Sequence, residues 1–84
     1  MNTLERNGTI LFSGISDRLT SSQIHEALFI TCSSFGPVLR VSSNRKTLRG
    51  KAFVVFLCFP DAVACATRLH GTSFLSASLN AQII

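Results

Sequence analysis

Acidic side chains are scarce in this 84-residue chain: Glu5, Asp17, Glu26 and Asp61 stand against eight lysines and arginines, for a formal net charge of +4. None lies between Glu26 and Asp61. Tryptophan and tyrosine are absent, so every ring available for stacking, histidine aside, is a phenylalanine. No apolar run approaches the ~20 residues that a membrane-spanning helix needs. Met1 to Arg6 lack the basic start and apolar stretch of a signal peptide, so neither a membrane nor the secretory route is expected. The three cysteines, Cys32, Cys58 and Cys65, cannot all pair within one chain and show no metal-ligand spacing. Because they sit inside apolar patterns, they are expected to be reduced core thiols of an intracellular protein.

Catalytic constellations are missing as well. His25 falls on the polar side of the first expected helix and His70 at the end of the second, neither with a carboxylate or thiol at productive spacing. There is no glycine-rich phosphate loop and no metal cluster. Neither enzyme activity nor a cofactor or metal is expected.

What is present is a concentration of positive charge. Five of the eight basic residues, Arg40, Arg45, Lys46, Arg49 and Lys51, fall within twelve positions. A local positive field of this kind attracts polyanions, nucleic acid foremost. A solvated basic loop that only maintains solubility would leave the same pattern.

The remaining sequence alternates between element types with no repeat or linker. Residues 1–7 read as a tail, and residues 8–84 as one small domain. Thr9 to Ser13, bounded by glycines, reads as a strand. From Thr20 the apolar period becomes helical (Ile24, Ala27, Leu28, Thr31, Phe35), with Thr20 or Ser21 as N-cap and Gly36-Pro37 as the stop. Val38 to Ser42 reads as a second strand, and "LRGKAFVVF", positions 48–56, leads into a third. Pro60 and Asp61 suit the first turn of a helix burying Ala62, Cys65, Ala66 and Leu69 and ending at Gly71. Leu79 to Ile83 reads as the last strand. The order β-α-β-β-α-β is the split arrangement of ferredoxin-like α+β folds. It predicts one four-stranded antiparallel sheet, its first and third strands central, with two helices on one face. Ile10, Phe12, Ile15, Ala52, Val54 and Phe56 should then face the helices. Leu11, Ser13, Lys51, Phe53 and Val55 should face the open side, where a planar ring can stack on an unpaired base.

"RGKAFVVF", Arg49 to Phe56, resembles the RNP1 octamer of RNA-recognition motifs, and "ILFSGI", Ile10 to Ile15, resembles their RNP2 hexamer. The likeness extends from about Gly8 to Ile84. Within the family it is greatest to the spliceosomal U1 snRNP A and U2 snRNP B-double-prime proteins, through "SSNRKTLRGKAFVVF", "SSFGPV", "RLHG" and "LNAQI". The small RRM subunit of splicing factor 3b is a second, less similar relative. The resemblance implies a nuclear RNA-binding component of a small nuclear ribonucleoprotein, holding an snRNA hairpin loop or single strand. By the same resemblance Phe53 would stack a base, Lys51 would contact bases and Arg49 would hold the closing of a hairpin loop. Arg45 and Lys46 would enter the RNA loop, and Gln82 would meet a base edge. The RNP2 aromatic is replaced by Leu11, which removes one stacking platform, worth ~1–3 kcal/mol. On the first helix, Phe29 and Ile30 fall to the outer flanks of the core stripe, and Leu57 and Phe59 add apolar surface. Together with Glu26, Phe29 and Ile30 form an expected protein-partner face. In the family, that helix meets a leucine-rich-repeat subunit of the same particle. An RRM-fold protein-interaction module with weak RNA affinity of its own, like the splicing factor 3b subunit, is the alternative.

Overall fold

In the computed structural model, residues 7–16, 18–43, 50–74 and 77–84 are described. The expected tail is therefore outside the described residues apart from Asn7, and so are Arg45, Lys46 and Arg49.

The chain forms β1 (Gly8–Ser13), α1 (Ser21–Ser33), β2 (Val38–Ser42), β3 (Lys51–Phe56), α2 (Phe59–Leu69), a short β4 (Ser73–Phe74) and β5 (Ala77–Ser78), and β6 (Asn80–Ile83). Four strands make one antiparallel sheet in the order β2-β3-β1-β6, so β1 and β3 are central as expected. Alternation along β1 and β3 sends Ile10, Phe12, Ala52, Val54 and Phe56 into the core, each fully buried. They meet Ile24, Leu28 and Cys32 of α1 and Ala62, Cys65 and Ala66 of α2.

Local chemistry sets the helix ends. Thr20 caps α1 through a reciprocal box: the Gln23 N–H donates to Thr20 Oγ1 (3.1 Å), and the Thr20 N–H donates to Gln23 Oε1 (2.9 Å). Two first-turn donors thereby gain partners that the helix itself cannot supply. In α2, Pro60 occupies the first turn, where its missing N–H costs nothing, and Asp61 complements the positive helix end.

Gly8 is where β1 passes closest to α2. A Cβ there would lie 2.5 Å from the Ala62 Cβ and 3.2 Å from the Phe59 Cα. Since the neighbours are backbone and a buried methyl, Gly8→Ala must displace the helix. It is expected to lower unfolding free energy by about 1–3 kcal/mol, read by chemical denaturation, with wild-type-like stability counting against this packing.

Several sequence expectations change. α1 ends at Ser33, so Phe35 lies beyond it, although its side chain still packs on the core. Cys32 takes the buried place on the stripe, and Thr31 is only half-buried. Cys58 is half-buried at the N-cap of α2 and is not a core thiol. Cys32 and Cys65 share a thiol–thiol hydrogen bond inside the core, Sγ to Sγ 3.7 Å. That contact and burial hold the Cys32 thiol well above its ordinary range, so it stays protonated. Phe59 is half-buried in the first turn of α2, beside Gly8. The β4–β5 hairpin was not anticipated, and Leu79 precedes β6 as a buried core residue, with its backbone bonded to Gly71 and Thr72.

The second strand pair carries one irregularity. Val38 opposes Phe56, yet Arg40 opposes Val55, which leaves Leu39 as an extra residue in a bulge.

Candidate functional site

The sheet face away from the helices is assembled by register. Phe53 on β3 lies opposite Leu11 on β1, Leu11 lies opposite Gln82 on β6, and Phe53 lies opposite Ser42 on β2. Ser42, Phe53, Leu11 and Gln82 thus form one row across all four strands. Directly opposed side chains on one face stand ~5 Å apart, close enough for one planar ligand to touch two of them. A second row joins Lys51, Ser13 and Asn80, and a third joins Arg40, Val55 and Thr9. The Ile84 N–H extends the third row by donating to the Thr9 carbonyl oxygen at 3.0 Å.

The alternation that buries Val54 and Phe56 leaves Phe53 and Val55 half-buried and Lys51 exposed. Leu11 and Ser13 are half-buried and Gln82 is exposed. The approach to β3 depends on Gly50, whose φ of +69° is the left-handed conformation that glycine adopts without strain. Its carbonyl accepts the Ile15 N–H at 3.1 Å, which ties the entrance of β3 to the exit of β1.

Chemically, the middle row offers one ring, one aliphatic side chain and hydrogen-bonding groups at both ends. The neighbouring row adds an ammonium, a hydroxyl and an amide. Among the described residues this face carries no carboxylate: Glu26 lies on α1 and Asp61 on α2. A flat face with a ring, cations and amide donors suits an unpaired base with its phosphate. No group of three or more potential metal-ligating side chains occurs among the described residues. The His70 Nδ1 accepts the Ala81 N–H at 3.1 Å.

Six of the sequence-predicted residues (Leu11, Ser13, Lys51, Phe53, Val55 and Gln82) come together on this face. Arg40, Ser42, Asn80 and Thr9 join them and were not singled out as site residues. Asn80 was legible, because it shares the period of two with Gln82. Arg40 and Ser42 were not, because the bulge at Leu39 reverses the alternation of β2.

On the opposite side of the molecule, Phe29 and Ile30 are 46% and 65% exposed. Leu19, Gln23, Glu26, Ala27 and Ile30 line an open, mainly apolar groove of about 340 Å³ beside them. Leu57 is exposed at the end of β3.

The family described as RNA recognition motif matches residues 17–80. The chain is 27% identical over 77 residues to the U2 small nuclear ribonucleoprotein B'' of Dictyostelium discoideum; the match covers 90% of this chain and 32% of that protein. The chain thus spans about a third of that relative's length. Its fold is also similar to the crystal structure of the RRM domain of S. pombe Puf1, with a TM-score of 0.70 at 20% identity, covering 94% of this chain and 92% of that one.

Proposed function

Because the chain belongs to the RNA recognition motif family, we propose that it binds single-stranded RNA on its open sheet face, as a component of a nuclear spliceosomal ribonucleoprotein. The carrying observation is the row Ser42–Phe53–Leu11–Gln82, a single ring between hydrogen-bonding ends on a face without carboxylates among the described residues. Phe53 stacks one base, Lys51 and Gln82 meet base edges or phosphates, and Ser13 contributes a hydroxyl. Leu11 and Val55 supply an apolar floor beside the stacked base. Arg45, Lys46 and Arg49 are assigned to the RNA backbone of a hairpin loop, most simply an snRNA loop, by resemblance and charge. The exposed pair Phe29 and Ile30, with Glu26 in the adjoining groove, is assigned to a protein partner, such as a leucine-rich-repeat subunit of the same particle. The reaction is binding alone, with no catalytic step.

Salt dependence tests the RNA assignment. Replacing Arg45 and Lys46 by glutamine should weaken binding to a hairpin-loop RNA, measured by fluorescence anisotropy. It should also make the log–log salt slope shallower by up to about two, because released counterions scale with the phosphates contacted. An unchanged slope would remove the loop from the interface.

One observation favours a second reading. Leu11 stands where a second ring would sit, and Leu39 and Leu57 are 54% and 44% exposed. A sheet this apolar also suits a protein-interaction module with weak RNA affinity. No binding to any single-stranded RNA, with retained capture of a protein on the sheet, would favour it.

A further inference from the structure

Ser43 follows the last residue of β2 and lies on neither the RNA-facing rows nor the partner groove. Its hydroxyl donates to the Ser21 carbonyl oxygen in the first turn of α1, at 3.1 Å across 22 positions of sequence. Around it is an open, polar surface pocket of about 260 Å³ lined by Ser21, Ser22, His25 and Ser43. No acidic residue occupies the first turn of α1, and the chain has none from residue 27 to residue 60. In sequence Ser43 is preceded at three positions by Arg40 and followed at two by Arg45. An arginine on each side at these offsets is a pattern that serine kinases with acidic peptide grooves select by charge.

We propose that Ser43 is a phosphorylation site for an arginine-directed serine kinase, and that the phosphate is held in the pocket of Ser21, Ser22 and His25. In the step itself, Ser43 Oγ bonds to the γ-phosphorus of ATP. The bond from that phosphorus to the bridging oxygen breaks, ADP leaves, and the hydroxyl proton passes to the kinase base. Having lost its donor hydrogen, the esterified oxygen can no longer bond the Ser21 carbonyl. The phosphate then takes its partners from the groups that line the pocket, the hydroxyls of Ser21 and Ser22 and the His25 ring.

Charge decides the consequence. The phosphate adds nearly two negative charges two residues before Arg45, next to the basic residues assigned above to RNA phosphates. Phosphorylation therefore acts as an off-switch for RNA, an effect that rests on the RNA-binding reading.

The whole chain would be incubated with Mg-ATP and the catalytic domain of protein kinase C, and the phosphate located by fragment mass spectrometry. Labelling at Ser43 that is lost in a folded Ser43→Ala variant is the expected result. No incorporation, or phosphate only on Ser16, Ser42 or another serine, overturns the site. Phosphorus-31 NMR then tests the pocket. A held phosphate should ionise below the ordinary value of about 6, and His25→Ala should restore that value. An ordinary value in the unsubstituted protein overturns the cradle. Finally, phosphorylated protein should bind hairpin RNA about tenfold more weakly at low salt, with a shallower slope. Equal affinity overturns the switch. If the unmodified protein binds no RNA, the RNA reading fails, while the labelling and NMR results still decide the site.

Discussion

Truncating Phe53 to alanine will lower affinity for single-stranded RNA by about ten- to a hundredfold and leave the protein folded, whereas Phe56→Ala will take it to the edge of unfolding. The two rings lie on the same strand, three residues apart, and face opposite sides of the sheet. Phe56 is fully buried among Ile10, Val54 and Ala62, and its loss removes core volume that the helices cannot refill. Such truncations cost about 3–5 kcal/mol, against a total stability of ~5–15 kcal/mol for domains generally. Phe53 is half-buried opposite Leu11 and Ser42, so its removal exposes sheet without opening a cavity. What it loses is a stacking platform worth ~1–3 kcal/mol per base. Thermal melts by circular dichroism and anisotropy titrations on both variants separate the effects. A Phe53→Ala protein that melts like Phe56→Ala would invert the register of β3 and every assignment on it.

The second large effect belongs to α1. The double substitution Phe29→Asp, Ile30→Asp should abolish association with a partner that docks on this helix. Loss of two central apolar anchors commonly costs over ~2 kcal/mol each, and the new carboxylates would also have to leave water. Stability should change little, because the buried stripe is Ile24, Leu28 and Cys32. RNA affinity should also hold, because the helices and the open face lie on opposite sides of the sheet. Co-purification from nuclear extract, compared between wild type and variant, reads the outcome. Unchanged capture would move the partner site to Leu11, Val55 and Leu57.

Most of this architecture was legible wherever side-chain period and backbone chemistry agree. The start of α1 was expected at Thr20 or Ser21, and the reciprocal box with Gln23 makes Thr20 the cap. The strict alternation of β1 and β3 is enough to divide Phe53 from Phe56. Period alone fails at Leu39. A one-residue insertion makes Leu39 and Arg40 share a place that one residue would fill, so Arg40 and Ser42 turn to the open face while Val41 becomes buried. Nothing in "VLRVS" signals that step, because its cause is pairing with β3, not local composition. The same holds at the end of the chain. Leu79 has strand-like character, but the β4–β5 hairpin draws its backbone to Gly71 and Thr72 and its side chain into the core. Arg45, Lys46 and Arg49 rest on charge and resemblance alone.

The displaced Leu39 also governs how one copy meets another. β2 forms an outer margin of the sheet, where unpaired amides and carbonyls invite a foreign strand and, from there, fibrous aggregation. A straight margin would offer an uninterrupted template. Here the extra residue bends the strand and breaks the spacing of its outward groups, and Arg40 adds like-charge repulsion between copies. Straightening β2 by deleting Leu39 should therefore make the protein precipitate at a lower concentration than the unaltered chain does.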